Sequence, residues 1–223
     1  TNINRPPVLA YIADQFGVEE TVISFTAVAT DPDSDDLTFA VAGAPTGAVM
    51  DPVTGVFSWT PQEVHGIGSY TVTVTVTDNS DPALTDTKIV TITVDEHNKV
   101  PSIDMIADQV SAEGGNVSLV ISASDPDLPA NTLTYTATGL PPGLTINSAT
   151  GVITGTIEYG SIGNYTVTVA VTDNASSPLL ATATFAWKVT DTNQPPVMQH
   201  IGNRSGAEES AITFDADATD PDS

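Results

Sequence analysis

The chain has no cysteine among its 223 residues, so no disulfide staples it and no thiolate serves as nucleophile or zinc ligand. It is almost as poor in positive charge: 5 Lys and Arg stand against 28 Asp and Glu, a net charge of -23 that repels nucleic acid and anionic membranes. Partners are therefore expected to be cationic, neutral or metallic. No apolar run approaches the roughly eighteen residues of a membrane span, and residues 1 to 20 lack the basic start and apolar middle of a signal peptide. No stretch carries a helical period. His65, His97 and His200 are too scattered to form a metal or catalytic cluster.

What is present is a repeat with a period of about 95 residues. Ile12-Ala13-Asp14-Gln15 returns as Ile106-Ala107-Asp108-Gln109, and Thr54-Gly55-Val56 returns as Thr150-Gly151-Val152. Asp31-Pro32-Asp33 returns as Asp125-Pro126-Asp127 and as Asp220-Pro221-Asp222. The organisation expected is a linker end at 1–6, a first repeat at 7–98, a second at 99–193 and the start of a third at 194–223. A linker-like opening and a close in mid-pattern lead to the expectation of more chain on both sides.

Within each repeat the apolar residues alternate at period two. Tyr70, Val72, Val74 and Val76 face one way and Thr71, Thr73, Thr75 and Thr77 the other, the pattern of a half-buried strand. Turn signals at Asp-Pro-Asp, Leu140-Pro141-Pro142-Gly143 and Asp78-Asn79 separate roughly seven short strands per repeat. The fold class expected is all-β, a tandem of seven-stranded immunoglobulin-like sandwiches.

The repeat register shows which acids recur at fixed places. An acid precedes the second strand at Glu19, Glu113 and Glu208; Glu63 and Glu158 lie seven residues before the Tyr of the sixth strand; the linkers carry Glu96-His97-Asn98 and Asp191-Thr192-Asn193. Asp-Pro-Asp follows the second strand, and Asp78 or Asp173 closes the sixth. Strand parity puts the first three groups at the C-terminal end of one sandwich and the others at the N-terminal end of the next, so the two sets are expected to meet at each junction. Carboxylates about 6 Å apart repel by roughly 3 kcal/mol at an effective dielectric near 20. These hard oxygen donors suit Ca²⁺ as counter-ion, which would link rigid bodies and stiffen the array.

Ala112-Glu113-Gly114, Ala123-Ser124-Asp125-Pro126-Asp127, Val171-Thr172-Asp173 and Asp191-Thr192-Asn193-Gln194-Pro195-Pro196 together resemble, in order, the motif series of cadherins, and most resemble bacterial cadherin-like repeats of the dystroglycan type. The resemblance implies junctional calcium and an extracellular, cell-surface setting in adhesion. Carried over position by position, it implies a first set of Glu19, Glu63, Glu96, Asn98, Asp125, Asp127 and Asp173, and a second of Glu113, Glu158, Asp191, Asn193, Asp220 and Asp222. Asp31, Asp33 and Asp78 would be half of a further set, weak or empty here. Where the cadherin linker has a second Asp, this chain has Lys99 or Gln194, and its Asp-x-Glu is reduced to Pro61-Gln62-Glu63 and Thr156-Ile157-Glu158. One or two ions per junction are expected rather than three.

Other readings compete. The acids are simply a solvated surface in one of them. In another, Trp59, Trp187, Tyr11, Tyr135 and Tyr165 line a sugar-binding surface, although Tyr165 and Trp187 sit at period-two core positions. Lys88 or Lys188 lacks the matching motif for an intramolecular isopeptide bond, and acids split between domains are poor glycosidases. Asn-x-Ser/Thr triplets occur at Asn116, Asn164, Asn174 and Asn203, of consequence only in a eukaryotic secretory route. The expectation is a non-enzymatic, calcium-stiffened segment of an adhesin or surface fibre, its partners being calcium, neighbouring repeats of the same chain, and homotypic protein or polysaccharide contacts. The alternative is a carbohydrate-binding accessory module.

Overall fold

A computed structural model describes residues 3–220. The chain forms two compact units, one of residues 1–99 with 126–131, the other of 100–125 with 132–223. The segment 126–131 begins inside the Asp125-Pro126-Asp127 motif of the second repeat, yet belongs to the first unit.

In the first unit the strands are β1 (Val8–Leu9), β2 (Gln15–Val18), β3 (Ile23–Thr26), β4 (Ala29–Thr30), β5 (Leu37–Ala42), β6 (Val49–Met50), β7 (Val56–Trp59), β8 (Gly68–Asp78) and β9 (Thr85–Asp95). A four-stranded sheet of order β2-β9-β8-β5 faces a three-stranded sheet of order β3-β7-β6, and β1 pairs with β4 alone. All pairings are antiparallel except that of β2 with β9. Seven strands thus make the two sheets, as the turn spacing predicts.

Period-two alternation decides the core. Val72, Val74 and Val76 of β8 and Val90, Ile92 and Val94 of β9 have no exposed surface, and they pack with Phe57 and Trp59 of the opposite sheet. Phe25 stacks on Phe57 at 4.8 Å between ring centroids, and Trp59 meets Tyr70 edge-on at 5.0 Å. The Trp59 indole N–H donates to the Thr46 carbonyl, so burial leaves no polar atom of that ring unpaired.

The second unit repeats the plan with β10 (Ser102–Ile103), β11 (Gln109–Ala112), β12 (Asn116–Val120), β13 (Ala123–Ser124), β14 (Thr134–Thr138), β15 (Leu144–Ile146), β16 (Val152–Thr156), β17 (Gly163–Thr172) and β18 (Leu180–Thr190). Its sheets have the orders β11-β18-β17-β14 and β12-β16-β15, with β10 on β13. Val167, Val169, Val171, Phe185, Trp187 and Val189 form the core with Ile121, Ile153 and Ile157. The described residues after 193 add only β19 (Val197–Met198) and β20 (Ala218–Thr219), an exposed antiparallel pair. No helix among the described residues is long and apolar enough to cross a membrane.

Candidate metal site

At the end of the first sandwich three strand exits converge. Val18 of β2 pairs with Asp95 of β9, the Glu19 N–H continues the ladder to the Asp95 carbonyl at 3.2 Å, and the Glu20 N–H reaches the Pro61 carbonyl at 2.7 Å. Glu63 opens a 3-10 turn, Glu63–His65, that follows β7. That turn is pinned to the core, since the Tyr70 hydroxyl donates to the His65 carbonyl at 3.0 Å and the His65 ring lies edge-on to Trp59. Glu96 follows β9 directly. Carboxylate oxygens of Glu19, Glu63 and Glu96 consequently lie within 4.8 Å of one another.

Glu19 is completely buried. Its Oε1 accepts the His97 N–H at 3.3 Å, while with the carboxylates ionised its Oε2 has no hydrogen-bond partner and neither oxygen of Glu96 has one. At such separations each pair of negative charges repels by about 3–4 kcal/mol at an effective dielectric near 20. Burial first, then the Glu19 charge, a side-chain hydrogen bond to Glu19 that the protonated carboxyl makes, and the charges of Glu63 and Asp127 push the Glu96 carboxyl up to about 7. Glu63 moves the other way, held down chiefly by the Lys99 ammonium, with its Oε1 accepting the Leu128 N–H at 2.8 Å. The Lys99 Nζ lies 2.5 Å from Glu63 Oε2 and 2.8 Å from Glu20 Oε1, and these bonds raise its own pKa.

Asp127 is buried, and accepts the Lys99 N–H on both oxygens, at 3.1 and 3.2 Å. Asn131 bridges Asp127 Oδ2, at 2.9 Å, and Asn98 Oδ1, at 3.3 Å. Five of the first expected set (Glu19, Glu63, Glu96, Asn98 and Asp127) therefore belong to this unit, whereas Asp125 and Asp173 belong to the second. Asp173 closes its own turn by accepting the N–H groups of Ala175 and Leu179, as Asp78 does with Ser80 and Leu84.

The second expected set is not gathered in the same way among the described residues. Its backbone frame is the same: the Glu113 N–H reaches the Thr190 carbonyl and the Gly114 N–H the Ile157 carbonyl. Glu113 is buried like Glu19, but its Oε2 accepts the Gly160 N–H at 2.7 Å. In the first unit the corresponding N–H, that of His65, is consumed by the Gln62 carbonyl inside the 3-10 turn, which leaves Glu19 Oε2 orphaned. Glu158, Asp191, Asn193 and Asp220 are exposed, and Asp222 lies outside the described residues.

At the other end of the first unit, Asp31, Asp35 and Asp78 bring carboxylate oxygens within 4.8 Å of one another. Asp35 comes from outside the repeated Asp-Pro-Asp motif, and its only signal is the acid-dense run Asp31-Pro32-Asp33-Ser34-Asp35-Asp36. Asp33 is instead gripped by Arg5, through Nη2 at 2.6 Å and Nε at 3.1 Å. Asn4 donates to Asp78 Oδ2 at 3.2 Å, and a cavity of about 400 Å³ is lined by Asn4, Asp33, Asp35, Ser80, Asp81 and Pro82. The aromatic residues that a sugar platform would need are mostly inside, with Trp59, Trp187 and Tyr135 buried and Tyr165 half-buried.

Two Greek-key-like sandwiches of this topology in tandem define a class, immunoglobulin-like and cadherin-like repeats, and the comparisons agree. The sequence pattern of the putative Ig domain family matches residues 6–95 and again 100–190, and the chain belongs to that family. The serine-rich adhesin for platelets of Staphylococcus aureus strain MRSA252 is 34% identical over 173 residues, 78% of this chain, and the chain spans only 12% of that protein's length. Among solved structures, protocadherin gamma B2 extracellular cadherin domains 1–5 align over 86% of this chain and 42% of their own, with a TM-score of 0.59 and 21% identity. Human CDH23 EC21–23 aligns over 94% of this chain and 83% of its own, with a TM-score of 0.57 and 23% identity. The cadherin structures speak for the fold.

Proposed function

We propose that the chain is a segment of an extracellular surface adhesin or fibre, a spacer or adhesive repeat array that calcium stiffens. The observation that carries the calcium reading is Glu19: a wholly buried carboxylate with an unpartnered Oε2, in a cluster with Glu63 and with a Glu96 whose ionised carboxylate oxygens have no hydrogen-bond donor. A buried charge without a partner is retained where something else satisfies it. The donors are all oxygen, which suits Ca²⁺ and offers zinc neither thiolate nor imidazole set. Glu19, Glu63 and Glu96 would hold the ion, and Asp127 adds a nearby negative charge. When bound, the ion supplies the positive charge that the cluster lacks. Because Asp127 and Leu128 already bond Lys99 and Glu63, neutralising the cluster would fasten the segment 126–131 in place, and this is how calcium would act on the array. The adhesive setting rests on the serine-rich adhesin relative and on the repeat itself.

Calcium titration by calorimetry, with Glu19→Gln as control, tests the reading, together with small-angle scattering in calcium and in chelator. Saturable binding that Glu19→Gln abolishes, with a longer particle in calcium, is expected. An unchanged titration in Glu19→Gln, or none in the native chain, would remove calcium from the proposal and leave a spacer of acidic surface.

A further inference from the structure

The residue after the linker Asn is Arg5 in the first linker, Lys99 in the second and Gln194 in the third. The two cations sit in the same frame. The Arg5 N–H donates to Asp33 Oδ2 at 2.8 Å, and the Lys99 N–H donates to both oxygens of Asp127, the register equivalent of Asp33. From that shared anchor each side chain delivers its charge to carboxylates: Arg5 to Asp33 itself, Lys99 to Glu63 and Glu20. Glu20 adopts a left-handed backbone, φ 59°, where the second repeat has Gly114, φ 72°. A glutamate there carries conformational strain that a glycine would not, and its carboxylate is one of the two that hold the ammonium.

Resting on the reading of Glu19, Glu63 and Glu96 as a calcium site, we propose that Lys99 is a tethered counter-ion which competes with calcium for Glu63 and so sets the concentration at which the site fills. The ammonium neutralises the Glu63 edge of the cluster and leaves Glu19 and Glu96 without a cation. It lies 2.5 Å from Glu63 Oε2, so a calcium ion entering the cluster of Glu19, Glu63 and Glu96 meets a positive charge a few ångströms away. The ion then binds either against that repulsion or after displacing the side chain. The first route weakens binding by about ten-fold, since one unit charge about 5 Å from a divalent ion repels it by more than 1.4 kcal/mol even in bulk water, and the second forfeits the bonds of the ammonium to Glu63 and Glu20. The third linker, with Gln194, lacks the device.

The test replaces Lys99 by the residue that the chain itself uses at Gln194. Lys99→Gln, with Lys99→Met as a second variant, is titrated with calcium chloride alone by calorimetry, and all three proteins are melted in chelator and in calcium. Calcium affinity at least about ten-fold higher in both variants is expected, with melting lower than the native chain in chelator and equal or higher in calcium. A calcium-induced rise in melting larger than that of the native chain is something a merely structural lysine would not produce. Calcium binding by the native chain with unchanged affinity in both variants would overturn the counter-ion role and leave the calcium reading intact. Binding by the variants but not by the native chain would support the counter-ion role and show that the amine has replaced the metal. Absence of binding in all three would overturn both.

Discussion

Gly66 has φ −61°, a conformation open to any residue, so its lack of a side chain answers a need for room. A Cβ there would fall 2.3 Å from Glu19 Oε2 and 3.1 Å from Glu96 Oε2, in the space between the two orphaned carboxylates. Gly66→Ala should therefore leave the sandwich folded and abolish or sharply weaken calcium binding; calorimetry on a variant with unchanged far-ultraviolet circular dichroism checks this. Glu96 makes a second prediction. Its folded pKa of about 7 lies above the ordinary 4.5, so its contribution to stability is fully present below 4.5 and is lost as pH rises through 7. In chelator the first unit should melt higher at pH 5 than at pH 8, and saturating calcium should narrow that gap by favouring the ionised carboxylates. A chelator-treated protein that melts higher at pH 8 would contradict the assignment. The repeat register marked Glu96 but not Gly66, which matters through proximity in space, and it gave no sign of the Glu96 pKa, which is set by neighbours far off in the chain.

At the scale of elements, the two repeats fill one core plan with large residues on opposite sheets. Trp59 stands on β7 of the three-stranded sheet, where the repeat register puts Gly155 on β16; Trp187 stands on β18 of the four-stranded sheet, where the register puts Ile92 on β9. Each core thus carries one indole, 1% exposed in either case. Gly155 permits a close approach: a Cβ there would lie 2.1 Å from the Gly143 carbonyl oxygen. Phe57→Ala should cost about 3–5 kcal/mol of the first unit's stability, since its ring is fully buried and stacked on Phe25. Denaturant unfolding followed by tryptophan fluorescence measures it. The alternation of valine and threonine in β8 and β17 made the strands and their inward faces legible in the sequence. The sheet that receives the indole was not, because period two gives a face and says nothing of the volume opposite it.

Over the whole molecule, each unit has its own apolar core and the acids are unevenly used. The first unit gathers Glu19, Glu63 and Glu96, whereas in the second Glu113 is satisfied by the Gly160 N–H. Scanning calorimetry should show two transitions, and calcium should raise the one that Phe57→Ala lowers while moving the other less. Equal shifts of both transitions would mean that the second unit holds an ion of comparable strength.

Composition, repeat register and period-two alternation were enough to determine an all-β tandem of seven-stranded sandwiches, because each depends on residues near in sequence or exactly one period apart. They also marked Glu19, Glu63 and Glu96 as recurrent. Tertiary structure alone decided that these three converge, and that Glu19 Oε2 is left orphaned where Glu113 Oε2 is satisfied by the Gly160 N–H, since a 3-10 turn at Glu63 consumes the corresponding backbone N–H. It also decided that Lys99, a departure from the cadherin pattern in sequence, reaches back across 36 residues to hold Glu63, a contact that no local pattern encodes.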